Sequence, residues 1–223
     1  MKSPILKISV LLLGVLVVAG CNYDNFDPPQ SMLQGNVVYQ GEPLGLRSEG
    51  VQLELWQPGY ELFQKIPLHV EQDGSFSAAV FDGDYKLTLL RGNGPWLDQT
   101  DSIEVQVRGG KTLDIEVQPY YTLTSPQYSR NSGQLTATVQ VNSINPVRAV
   151  EMVAIYVGRT AILDAVRNEA NLVIPGEELD LSSPISLDIN LPGSLSGRDV
   201  YVRVGVKAAG VQELLYSKVE HLP

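Results

Sequence analysis

The sequence predicts an all-β protein made of two tandem β-sandwiches, and three observations carry that prediction. From Ser31 onward, clusters of Gly, Pro, Asp, Asn and Ser recur about every 8–12 residues, the spacing of short strands joined by turns. The runs between them alternate apolar and polar residues, so each would bury one face. The alternation changes character after Pro119-Tyr120-Tyr121, which divides residues 31–121 from residues 122–223. Either segment is long enough to enclose a core. Cys21 is the only cysteine, so no intrachain disulfide staples either half, and burial must hold both.

In the first half, Leu33, Gly35, Val37 and Tyr39 alternate as a strand that Gln40-Gly41-Glu42-Pro43 interrupts. Val51, Leu53 and Leu55 face inward on a second strand, with Trp56 just past its end, and Ile66, Leu68 and Val70 make a third. Gln72-Asp73-Gly74-Ser75 reads as a hairpin turn in which the glycine supplies positive φ. It leads into Phe76, Ala78 and Val80, and Asp82-Gly83-Asp84 turns the chain again into Tyr85, Leu87 and Leu89. After an irregular stretch at 91–100 come Ile103, Val105 and Val107 and, across Gly109-Gly110, Leu113, Ile115 and Val117. Seven strands with two tight turns make a small sandwich.

Asp73-Gly74-Ser75-Phe76 and Phe81-Asp82-Gly83-Asp84-Tyr85-Lys86-Leu87 resemble the carboxypeptidase-regulatory-like domain, a prealbumin-type sandwich. Phe76 and Tyr85 are then placed to fill the space between its sheets. The resemblance implies no peptidase. His69 and His221 are the only histidines, too far apart in sequence for a catalytic metal motif, and no cofactor is expected.

In the second half, Leu135, Ala137, Val139 and Val141 alternate, while residues 150–157 are an almost unbroken apolar run, the pattern of a strand covered on both faces. Residues 159–172 fit a helical turn or two as well as a strand. Leu179 and Leu181, then Ile185, Leu187, Ile189 and Leu191, resume the alternation up to Pro192-Gly193. Residues 201–206 and 215–219 close the domain as a hairpin, and the set resembles an immunoglobulin or fibronectin type III sandwich.

Ahead of these, Lys2 and Lys7 precede an apolar run over 8–19, well short of the roughly 18–20 residues of a spanning helix. Val18-Ala19-Gly20-Cys21 resembles a lipobox. This implies a signal peptide over 1–20 and a lipid-bearing Cys21 as the first mature residue. Asp24 and Asp27 look like the acidic surface-export signal of Bacteroidetes lipoproteins, and residues 21–30, with Pro28 and Pro29, read as an extended tether. Losing Lys2 and Lys7 leaves 14 basic against 25 acidic side chains, a net charge of −11. That balance opposes binding to nucleic acid, which calls for clustered Lys and Arg.

The lipobox and its continuation, the regulatory-like domain, the segment Gly92-Asn93-Gly94-Pro95-Trp96, the Pro119-Tyr120 junction and the C-terminal sandwich together resemble one family over nearly the whole mature chain. It comprises two-domain Bacteroidetes outer-membrane lipoproteins of unknown function, often encoded beside starch-utilisation (Sus-like) receptor and transporter pairs. The resemblance implies an accessory role in capture of a glycan or another nutrient at the cell surface, and carries over no catalytic residue.

Trp96, Asn93, Trp56 and Tyr60 are the candidate contacts to a ligand or partner, since an aromatic ring on a rigid loop suits stacking on a sugar face. A loop Trp also serves as a plug that closes a sandwich end. Tyr120 and Tyr121 are placed to pack between the domains, and His69, out of phase with Leu68 and Val70, faces solvent. Asp82, Asp84, Asp98 and Asp101 gather at one end of the first sandwich in this reading, as turn residues or as oxygen ligands for Ca²⁺. No nucleophile triad, phosphate loop or His/Glu metal motif is present, so a non-catalytic binding protein leads. The alternatives are a structural partner of an outer-membrane receptor and an enzyme with an unrecognised site. Cys21→Ala is expected to shift the protein from the membrane pellet to the soluble fraction; retention through salt and carbonate washes would overturn the lipid anchor.

Overall fold

The computed structural model describes residues 27–59, 64–131 and 133–223; Cys21 and Tyr60 lie outside the described residues. The first half contains β1 (Ser31–Tyr39), β2 (Glu42–Pro43), β3 (Gln52–Trp56), β4 (Lys65–His69), β5 (Ser75–Val80), β6 (Gly83–Leu89), β7 (Ile103–Val107), β8 (Lys111–Thr112) and β9 (Ile115–Glu116). β1 centres one sheet, antiparallel to β2 and β5 and parallel to β8 and β9; the other runs β4-β3-β6-β7. Leu33, Val37, Phe76 and Val80 from one sheet meet Leu53, Leu55, Tyr85, Leu87 and Val105 from the other, all buried. His69 is exposed on β4, as its phase predicts.

The Leu113–Val117 run departs from the expected single strand. Leu113 N donates to Gln34 O at 2.9 Å, Asp114 Oδ1 accepts from Asn36 N at 2.9 Å, and the chain rejoins β1 as β9 with no change of register. The segment between β8 and β9 presses on β1 so closely that a Cβ on Gly35 would lie 1.8 Å from Leu113 O. Glycine is therefore required there.

The second half contains β10 (Tyr121–Leu123), β11 (Gln127–Asn131), β12 (Gln134–Val139), β13 (Val141–Ser143), β14 (Val150–Gly158), β15 (Ala170–Pro175), a 3₁₀ turn (Gly176–Glu178), β16 (Ile185–Asn190), β17 (Val200–Ala208), β18 (Leu215–Tyr216) and β19 (Glu220–Leu222). Sheet β11-β12-β16 packs on sheet β15-β14-β17, which β18 and β19 extend from β17. Residues 159–169 are an irregular loop, which leaves β15 as the strand of that ambiguous segment. Leu179 and Leu181 fall outside the strands, because the 3₁₀ turn takes up the chain before β16. β11 has no apolar alternation to announce it: its half-buried Arg130 bonds the carbonyls of Leu195, Arg198 and Pro223 instead of packing in oil.

The apolar run over 150–157 is buried on both faces from Val153 onward, and the two covers differ. Val153, Ile155 and Val157 enter the sandwich core. Ala154 and Tyr156 pack outward with Leu163, Leu214 and Tyr216. Arg203, on β17 beside Tyr156, joins this outer face and is 1% exposed. Its Nε donates to Ser217 O at 2.8 Å, Nη1 to Leu163 O at 3.1 Å, and Nη2 to Gln72 O at 3.0 Å, while the guanidinium lies 4.4 Å from the Tyr216 ring centroid. Gln72 belongs to the β4–β5 turn of the first sandwich. One buried cation thus ties that turn, the 159–169 loop and the terminal hairpin together.

Further bonds widen the junction. Arg47 forms a two-pronged salt bridge with Glu213, 2.8 Å from Nε to Oε2, and this bond holds the guanidinium above its usual pKa range. Tyr216 N donates to Gly45 O at 2.9 Å, so close that a Gly45 Cβ would sit 2.3 Å from Tyr216 O. Tyr120 and Tyr121 are buried, and one continuous apolar cluster runs through both sandwiches. The two halves have separate topologies but share a core and a buried polar network. The full chain is expected to melt in a single calorimetric transition. Arg203→Ala should lower stability by about 3 kcal/mol, having orphaned the buried carbonyls of Leu163 and Ser217 and cut the bond to Gln72 O, and Tm by about 6–12 °C. Arg203→Lys should not restore it, since one ammonium cannot span the three acceptors. Two separate transitions in the parent protein would show that the junction is not cooperative.

Candidate functional site

The loop that carries Trp96 faces inward. Trp96 is 3% exposed, within the shared apolar cluster, and pairs with Pro119 in an isolated bridge. Leu97 N donates to Gln118 O at 2.9 Å and Tyr120 N to Pro95 O at 3.1 Å, so the loop is zipped to the segment that joins the domains. A Cβ on Gly94 would lie 2.2 Å from the Trp96 ring, which explains a glycine where the ring folds back. The expectation that Trp96 stacks on a ligand is therefore corrected. The ring closes the first sandwich, and no ligand reaches it without opening the core.

Asn93 is buried for a related reason. Its Oδ1 accepts from Gln52 N at 2.7 Å, and its Nδ2 donates to Gly50 O at 3.0 Å and to Gln212 Oε1 at 3.3 Å. Gln212 N in turn donates to Gly92 O at 3.2 Å. The loop does contact a partner, and that partner is the chain's own second domain. Trp56, the last residue of β3, is half-buried with Nε1 3.2 Å from Thr88 Oγ1. Tyr60 is outside the described residues. The four aspartates do not share an end: the register Gly83↔Val107 and Leu87↔Ile103 puts Asp82 and Asp84 at the start of β6 and Asp98 and Asp101 beyond its finish. Among the described residues no three His, Cys, Asp or Glu side chains converge on one point.

What the fold does leave open is a cleft of about 560 Å³ between the two domains, within the usual range of small-molecule sites, roughly 300–1,000 Å³. One wall is the β1–β2 hairpin. Gln40 and Gly41 take positive φ, 53° and 79°, at its tip, the two-residue turn that matches strand twist. Gln40 is held there by its N–H to Glu116 Oε1 at 2.6 Å and by Nε2 to Tyr39 Oη at 3.1 Å. The opposite wall is the segment from Leu215 to Glu220, and the cleft is also lined from Thr122 in β10 to Pro126.

The lining is chemically mixed. Tyr39 is half-buried and offers part of a ring; Leu44 and Leu215 are buried beneath the polar rim. Glu42, Ser125, Lys218 and Glu220 are exposed, and among the described residues their side chains make no hydrogen bond or ion pair. Tyr128 lies behind the wall, beside Ser217 and Glu220; burial pushes its hydroxyl up to about 12. Its Oη makes no hydrogen bond of acceptable geometry among the described residues, although Ser217 Oγ, which donates to Lys218 O and accepts from Val204 N, lies beside it. Hydroxyl, amide, carboxylate and ammonium groups around a partial aromatic face suit a ligand that both donates and accepts along its length. The sequence reading missed this site: its residues come from three distant segments, each an ordinary polar surface position taken alone.

The chain matches two family models end to end, "Protein of unknown function (DUF3823) N-terminal domain" over residues 31–118 and "Domain of unknown function (DUF3823_C)" over residues 121–221. No curated protein matches it. Among solved structures it is similar to a DUF3823 family protein from Parabacteroides merdae, at 35% identity over 88% of this chain and 100% of that one, TM-score 0.81. A DUF3823 family protein from Bacteroides ovatus aligns at 34% identity over 86% and 97%, TM-score 0.79. A "putative carbohydrate binding protein" from Bacteroides uniformis shares the fold at 18% identity over 87% and 99%, TM-score 0.72. With both halves matched in order and the two-sandwich architecture in common, the chain belongs to the DUF3823 family of two-domain proteins of unknown function.

Proposed function

We propose that the protein is a non-catalytic lipoprotein of the outer-membrane surface, anchored through Cys21, which binds a saccharide in the interdomain cleft as an accessory to a Sus-like uptake system. The observation that carries the binding site is the set of unpaired polar side chains around Tyr39, between two domains whose mutual position is locked. A sugar offers what this lining lacks, hydroxyls that serve as donors and acceptors and a C–H face for a ring. The name of the structurally similar Bacteroides uniformis protein points the same way. A second reading, a structural partner of an outer-membrane receptor, is favoured by Ile162 and Val166, both exposed on the 159–169 loop.

Affinity electrophoresis of the mature chain over a panel of polysaccharides tests the saccharide reading. Tyr39→Ala and Glu42→Gln should each weaken retention about tenfold or more while Tm stays within a few degrees. Trp96→Ala should act differently, removing about 3–5 kcal/mol of stability and lowering Tm by about 10 °C or more. If no polysaccharide is retained, or if the Tyr39 and Glu42 variants are retained like the parent, the cleft is not a saccharide site.

A further inference from the structure

We propose that the end of the first sandwich where the tether arrives is a membrane seat, with Met32 and Phe81 in the headgroup boundary of the bilayer and Lys111 toward its phosphates. This rests on the lipid anchor at Cys21 and adds an orientation to it. Met32 is 44% exposed and Phe81 50%. Met32 is paired with Ala79 across β1 and β5, and Phe81, two residues beyond Ala79, continues the same face. Lys111, in register with Leu33, stands at the same end of the sandwich on the other face of this sheet, is exposed, and makes no ion pair among the described residues.

The exposure of Phe81 is built in. Tyr85 Oη donates to Phe81 O at 2.8 Å, and Asp82 Oδ1 accepts from Ser31 Oγ at 2.5 Å and from Gly109 N at 2.8 Å. These bonds knit the start of β1, the β5–β6 turn and the 108–110 turn into one fixed end. They also occupy Asp82, while Arg108 pairs with Asp84 at 3.1 Å, so neither acid is left bare toward a phosphate surface.

The occupant follows from the proposed anchor. Cys21 stands ten residues before Ser31, a reach of at most about 35 Å when fully extended. Ser31 is in register with Val80, so Phe81 lies at the root of the tether. The bilayer is the surface that the anchor would keep continuously within that reach. At such an effective concentration two apolar side chains and a lysine suffice, where a diffusing protein partner would need a larger patch. The far end of β1, at Tyr39, then stands about 26 Å higher, which holds the cleft clear of the headgroups.

The full-length lipoprotein is reconstituted into phosphatidylcholine and phosphatidylglycerol vesicles with or without brominated acyl chains. Phe81→Trp should lose about half or more of its added fluorescence on bromination, and Val147→Trp, on the exposed surface of the second domain, should lose none. Equal quenching of the two, or none at either, would overturn the seat. If the protein fails to float with vesicles, the anchor has failed rather than the seat. A form carrying an N-terminal histidine tag in place of Cys21, held on nickel-chelating lipid, then gives the same readout, and an unquenched Phe81→Trp there overturns the seat as well. Crosslinking of that position in cells to another protein, with no quenching on vesicles, would assign the patch to a protein partner and overturn it too.

Discussion

The Arg203 guanidinium is the constraint on which the arrangement of the two halves depends. Desolvation pulls it down to about 10, so it remains charged at neutral pH although almost fully enclosed. A charge so placed is tolerable only if its donors are met, and they are met by carbonyls from three parts of the chain. Asp164, buried nearby, supplies the opposite charge while its own Oδ1 is capped by Val166 N and Arg167 N. Gln72 O is the element of this set that belongs to the other sandwich. Separating the domains would strand the charge, and this makes the junction specific where apolar burial alone would allow sliding.

The same logic explains why strand positions were legible in the sequence and the relation between the domains was not. Phe76 and Tyr85, which the resemblance to the regulatory-like domain places between the sheets, are both buried. The apolar run over 150–157 predicts a strand covered on two faces, and it is so covered from Val153 onward, but nothing in that run says that the Gln72 turn of the first domain meets the outer cover through Arg203. Arg203 illustrates the limit. In Tyr201-Val202-Arg203-Val204-Gly205-Val206, strict alternation assigns Arg203 to the solvent side. It does point away from the sandwich core, and what waits there is Tyr216 and the Gln72 turn. Gly205, two positions on, would have a Cβ 3.0 Å from the Tyr216 ring, so its lack of a side chain serves the same contact.

Trp96 turns inward although its loop has the composition of a binding loop. Glycines in the 92–98 loop cost conformational entropy, and that cost needs a return. Gly92 sits at φ 66° and its carbonyl receives Gln212 N, while Gly94 clears space for the Trp96 ring. The return is a packed interdomain seam. An exposed binding loop and a seam loop share this composition, because both must hold a bulky ring on a backbone that bends sharply. The difference lies in Gln212 and Gln118, residues remote in sequence.

The cleft owes its shape to those same locks. Gly45 and Tyr216 join the wall behind β2 to the terminal hairpin, and the Arg47–Glu213 bridge and the Asn93–Gln212 bond close the domains alongside. The polar side chains at its rim are therefore carried on elements bonded directly to one another. On the proposed reading, a saccharide would meet donors and acceptors already in place, and little of its binding energy would be spent on closing a hinge. Glu42 and Lys218 line the cleft from opposite walls, on different domains. If the cleft holds a saccharide as proposed, its selectivity would follow from the spacing of groups along the occupant more than from any single contact.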